Sequence, residues 1–200
     1  MKKLACCLIV FFAAGSFAGA ASIQDKIQEG IRYHDLALLD PSNIKKAKEI
    51  LEPLQNVSAL AKGYYGSVIT QEAGEYAKNK NGIKALALLS DGTKLIDEAV
   101  NMDPDIPDLH FLRMINSYQV SEGSPVNRYK IMKTDIDWLL KRQSNYSSKN
   151  QGIIQLYSGL YYLKARRLSE ALAAFDACIA ISPGSAEAAE AKKHKARYAE

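Results

Sequence analysis

The chain has 200 residues, 48% of them hydrophobic and 24% charged, with a formal net charge of +4, a composition that excludes disordered and collagen-like classes. That balance also argues against nucleic acid as a partner, because a nucleic-acid-binding domain carries a basic stripe. Three cysteines, two of them within the first ten residues, exclude a disulfide framework.

The first predicted element is MKKLACCLIVFFAAGSFAGA. Lys2 and Lys3 precede an apolar run from Leu4 to Ala14, and small residues end it at Ala18-Gly19-Ala20, the pattern of a signal peptide over residues 1–20, cleaved after Ala20 or Ala21. The run is shorter than the roughly 20 residues that span a bilayer. Cys6 and Cys7 precede most of it, whereas a lipobox cysteine follows its apolar stretch. Cleavage removes two lysines and no acid, leaving 24 basic and 22 acidic residues, a formal charge of +2, and Cys178 as the remaining cysteine. The expected product is one exported domain, 22–200, periplasmic or secreted. It has no membrane span after cleavage and is held together by its core.

From residue 22 onward, apolar residues recur at three- and four-residue spacing with no sustained alternation, which predicts an all-α fold. The breaks at Asp40-Pro41, Asn79 to Gly82, Asp103-Pro104, Gly123 to Pro125, Ser144 to Asn150 and Ser182 to Ser185 contain residues that cap or stop helices. They predict helices over 22–39, 42–54, 56–78, 82–102, 106–120, 125–143, 151–165, 168–181 and 185–199. Short connections between elements of this length describe stacked antiparallel hairpins. Along 56–78, Ala59, Gly63, Gly66, Thr70, Ala73 and Ala77 keep one face small, which predicts close approach of a neighbouring helix.

The segment GLYYLKARRLSEALAAFDACIAISP carries the clearest register. Gly159 and Tyr162, then Ala171, Phe175 and Cys178, then Pro183 give a small and an aromatic residue on one helix. A small, an aromatic and a small residue follow on the next, with a proline to stop it. This spacing resembles the tetratricopeptide repeat, and residues 152–185 fill its length of about 34 residues without a gap. Ile96, Ala99 and Pro104 repeat the second-helix spacing; Phe111, Met114, Ile115 and Tyr118 supply a first-helix core face, as do Val57, Leu60, Ala61 and Tyr64. Gly30 and Tyr33 match the pair Gly159 and Tyr162, and Ala47 and Leu51 the pair Ala171 and Phe175. The resemblance covers most of 22–200, with lengthened second and third hairpins. It implies a short solenoid whose last helix, 185–199, is a polar cap with acids early and bases late, the order a helix dipole favours.

Residues for chemistry are sparse. His34, His110 and His194 lie in separate hairpins or the cap, so no metal site is expected. Cys178 is expected to be a buried core residue. There is no G-x-S-x-G, phosphate loop or dinucleotide fingerprint. Asp135 and Asp137 point in different directions on one helix and are expected to be solvated flanks of Trp138. The expected protein is therefore not an enzyme and needs no cofactor.

In a repeat solenoid the first helices line a concave face, so the resemblance implies binding residues opposite their packing positions. These are Lys62 and Tyr65 on the second hairpin, Arg113, Asn116 and Gln119 on the third, and Tyr157, Leu160 and Lys164 on the fourth. Such a groove suits a protein or peptide partner, including a carboxylate terminus. Arg113 and Asn116 are similar to part of the family's carboxylate-clamp set, whose other members have no counterpart here. The alternative expectation is a small-ligand or substrate-binding accessory protein, for example of an envelope transporter, which requires a closed pocket with converging polar groups.

Overall fold

The computed structural model describes residues 22–198, so the expected signal peptide and its cleavage site lie outside the described residues. Within them the chain is all-α, with no strand. The helices are α1 (Ile23–Ala37), α2 (Asn43–Leu51), α3 (Ala59–Lys78), α4 (Gly82–Met102), α5 (Pro107–Gly123), α6 (Tyr129–Leu140), α7 (Ser148–Lys164), α8 (Leu168–Ile181) and α9 (Ala186–Ala196). No helix of the described residues is long and apolar enough to cross a membrane.

Starts follow local chemistry. Ser22, Ser58, Asn81, Ser147 and Ser185 each accept a main-chain N–H from the first turn of the helix they precede, satisfying a donor that has no intrahelical partner. Ser147 explains why α7 begins earlier than the spacing predicts. In contrast, α6 begins later than 125: Pro125 interrupts, and the Ser124 hydroxyl accepts the Val126 N–H while donating to the Val120 carbonyl. Val57, expected on a core face, is exposed in the turn before α3.

Two turns are built alike. Asn81 N–H donates to Tyr76 O and Lys80 N–H to Ala77 O between α3 and α4. Arg167 N–H donates to Tyr162 O and Arg166 N–H to Leu163 O between α7 and α8. Both are Schellman closures. Each places a non-glycine residue in the left-handed region, Lys80 at φ 61° and Arg166 at φ 58°.

Consecutive helices pack in pairs, α1 with α2, α3 with α4, α5 with α6 and α7 with α8, while α9 lies on α7 and α8. Contacts also join α1 to α3 and α3 to α5. The small-residue face of α3 does what its spacing predicts at one point: Gly66 and Gly92 are so close that a Cβ on either would fall 2.6 Å from the other's carbonyl oxygen. A Cβ on Gly159 would strike the Phe175 ring. Cys178 is fully buried, as expected.

The core is divided. One cluster of buried residues joins α1, α2 and α3 around Leu51 and Val68, with Leu88 of α4 added. Another joins α5 to α9 around Met114, Ile136, Ile154 and Phe175. Ala59, Ala99, Val100 and Leu109 form a small cluster at the junction. In α9, Ala188 and Ala191 are fully buried, so its alanine face is a packing surface.

Candidate functional site

Helix α5 has two differently used polar faces. On one, Arg113 donates from Nε and Nη2 to the two oxygens of Asp135 at 2.9 and 2.8 Å. His110 Nδ1 lies 2.8 Å from Asp135 Oδ1, and its Nε2 lies 2.9 Å from Pro104 O. The imidazole stacks on Trp138 at 3.8 Å between ring centres, and Arg142 covers that indole at 3.9 Å. Asp97 links Arg113, at 3.7 Å, to Arg128, at 2.6 Å. Asp135 is 0% exposed, a position a carboxylate tolerates only with paired charges and filled hydrogen-bond capacity.

This network corrects two expectations. Asp135 is no solvated flank; Asp137 on the same helix is the partly exposed one, paired with Lys133. Arg113 does not stand free on an open face, since both edges of its guanidinium are taken by carboxylates and the residue is buried.

The other face of α5 opens into a cleft of about 280 Å³. Its walls are His34, Asp35 and the C-cap Leu38 from α1; Tyr64, Ser67, Thr70 and Gln71 from α3; Asp108, Phe111, Leu112, Ile115, Asn116 and Gln119 from α5; and Asn150 and Ile153 from α7. Among the described residues, no lysine or arginine lines it. Burial, with the Asp108 and Asp35 carboxylates adding to it, pushes the Tyr64 hydroxyl up to about 12.

Two buried carbonyl oxygens at this cleft have no hydrogen-bond partner, Asn116 Oδ1 and Gln71 Oε1. Their neighbours fix which end of each amide is left over. Thr70 Oγ1 donates to Ser67 O at 2.7 Å, so towards Asn116 it can only accept, and the Asn116 amide must offer its NH2, at 2.7 Å. Gln71 meets the His34 main-chain carbonyl at 3.4 Å, which likewise accepts only. Each orphan acceptor carries a desolvation cost of about 1–3 kcal/mol.

Ser67 Oγ lies 2.9 Å from His34 Nε2, and His34 Nδ1 lies 2.8 Å from Asp35 Oδ1. The connectivity is that of an acyl-transfer relay. Ser67, however, lies in the interior of α3, where main-chain N–H groups are spent on the helix, so no pair of free amides stands beside it to hold an oxyanion. The chain of bonds ties α1 to α3 along the cleft. No group of three or more His, Cys, Asp or Glu side chains among the described residues is arranged to hold a metal ion.

Of the eight residues expected to form one groove, Asn116 and Gln119 line this cleft, and Asn116 is buried within its wall. Lys62 turns to α4 and pairs with Glu98 at 3.2 Å. Tyr65 is buried in the core of the first helices, where burial and a hydrogen bond with Glu52 push its hydroxyl up to about 12. Tyr157 packs edge-to-face on Tyr118 at 5.6 Å, and burial pushes it up to about 12 as well. Leu160 is buried, and Lys164 pairs with Glu122 at 2.7 Å. Tyr157, Leu160 and Lys164 border other hollows, beside α9.

The expected groove with cationic groups is thus replaced by a cleft that, among the described residues, no lysine or arginine lines. Phe111 and Ile115 pack against the core cluster, as expected, and also line the cleft, while α5 turns its polar residues 110, 113 and 117 onto Asp135 and Arg128. Comparison with family models, with curated proteins and with solved structures returns no match.

Proposed function

We propose that the protein is an exported, non-enzymatic binding module: a tetratricopeptide-like solenoid of stacked antiparallel hairpins that holds a protein or peptide segment of the cell envelope. The observation that carries this reading is the origin of the cleft's walls. Every lining residue comes from α1, α3, α5 or α7, or from the α1 cap, the first helix of each successive pair. In a stacked hairpin array those helices share the inner face. The pairwise packing, the contacts of α1 with α3 and of α3 with α5, and the shared closure of the α3–α4 and α7–α8 turns support the same architecture.

The cleft contributes a preformed surface. Phe111, Leu112, Ile115 and Ile153 offer apolar area, and the amides of Gln119 and Asn150 offer hydrogen bonds to an extended chain. A photo-crosslinking residue at Gln119, in the cleft, should yield a discrete adduct with an envelope protein in the native cell. The same residue at Lys45, on the far-exposed surface of α2, should not. Identical products from the two positions would remove the cleft from the reading. A small-ligand role is the second reading. It draws on the cleft's volume of about 280 Å³, near the lower end of ligand pockets, and native mass spectrometry of the purified protein would reveal such a ligand as a fixed added mass.

A further inference from the structure

His110 is held between two acceptors. Its Nδ1 lies 2.8 Å from Asp135 Oδ1 and its Nε2 lies 2.9 Å from the main-chain oxygen of Pro104. A carbonyl oxygen only accepts, so Nε2 carries a proton. Arg113 Nε and Nη2 donate to both oxygens of Asp135, a fork that holds the group as a carboxylate and leaves it, too, only accepting. Nδ1 therefore carries a second proton, and the ring in this arrangement is an imidazolium. Without that proton, a bare nitrogen would face an oxygen at one end of the ring. His110 is 3% exposed and Asp135 0%, so no water stands by to relieve the mismatch.

The surroundings accommodate the charge. Asp135 faces the ring from α6. Arg113, on the ring's own helix, is turned to Asp135 and to Asp97 of α4, which Arg128 also meets. Trp138 of α6 stacks on the imidazole, and the electron-rich face of an indole attracts a cation. Arg142 covers the same indole and is the like charge that opposes, held off by the thickness of the ring system. Asp103 and Asp105 flank Pro104 in the turn between α4 and α5, both exposed, and their sign favours a cation.

We infer that His110 and Asp135 form a proton-dependent clasp, in which the second imidazole proton ties the Pro104 turn and the start of α5 to α6, and its loss unfastens the turn. The clasp lies on the closed face of α5 and acts on the fold whatever the cleft binds. The opposite face of the same helix is a wall of the cleft, so fastening the clasp also steadies that wall. The folded pair keeps a proton that the unfolded chain, with an ordinary histidine at about 6.5, gives up. The stability it contributes is complete in acid and is lost as pH rises past that value. His194 works in the opposite sense: burial pushes its imidazole down, so its contribution is present at higher pH and is lost as pH falls.

The test uses the full chain. Long-range proton–nitrogen NMR of the histidine rings at about pH 7.5, where an ordinary imidazole has lost its second proton, should show both ring nitrogens of His110 protonated. A bare nitrogen on His110 at that pH overturns the clasp. Denaturant titrations of the wild type and of His110→Gln from about pH 6 to about pH 9 give a second readout. Taken as the ratio of wild type to variant, so that His194 and the other titrating groups cancel, the folding equilibrium constant should fall about tenfold over that range. A ratio that stays flat or rises overturns the clasp as well. If the variant does not fold, amide hydrogen exchange in the wild type replaces the comparison. The protection of the Leu109 N–H, which bonds to Ile106 O in the turn, should fall about tenfold over the same range, while that of the Ala61 N–H, capped by Ser58, should hold. Equal behaviour of the two amides overturns it.

Discussion

The two polar regions on α5 are finished differently, one built on paired charges and the other on amides. Around Asp135, His110 and Arg113 each find partners, and Arg128 and Asp97 extend the set until every charge has a counter-charge. Across the helix, Asn116 and Gln71 each keep one oxygen unbonded. A closed network holds helices together; an open one has capacity left for something else. Position on the helix therefore matters less for function than whether the hydrogen-bond account closes.

The largest way to break this contrast is at the closed region. Asp135→Asn takes the carboxylate that Arg113 and His110 share out of a buried network and leaves Arg113 only Asp97, at 3.7 Å, so unfolding free energy in denaturant titration should fall by about 3–5 kcal/mol. A loss well below that would mean the network is not a structural closure. Next is the seam that holds α3 beside both regions. Gly66→Ala drives a methyl against the Gly92 carbonyl and should cost about 1–3 kcal/mol. Gly74→Ala, on the same helix with open space around its Cβ position, should instead gain about 0.5–1 kcal/mol. If the pair moved together, helix propensity and not close approach would govern α3. The smallest stability effect belongs to the open region. Asn116→Leu removes an unsatisfied buried oxygen and should shift stability by less than about 1 kcal/mol in either direction. A large destabilisation would place Asn116 with the closed network.

The helix positions were legible because caps and breakers sit where the chain turns: Asn81 and Ser185, within two of the breaks, mark starts that the structure keeps. The small-residue pattern of α3 likewise announced the Gly66–Gly92 contact. The burial of Arg113 was not legible. A periodicity argument sends apolar Phe111 and Ile115 inward, where they do pack, and polar Arg113 outward, and it has no term for a carboxylate 22 residues away that makes burial of Arg113 affordable. Asp135 was misread for the same reason from the other side. His34 and Ser67 carry no motif, and only the packing of α1 on α3 brings them together.

Thr70 deserves a different description from that of a small residue on a packing face. Its hydroxyl has a single proton, committed to the Ser67 carbonyl, and that commitment decides which way the Asn116 amide points. The direction of the Asn116 amide is thus held by one rotor. Replacing Thr70 by valine would keep the shape and release the amide to turn over.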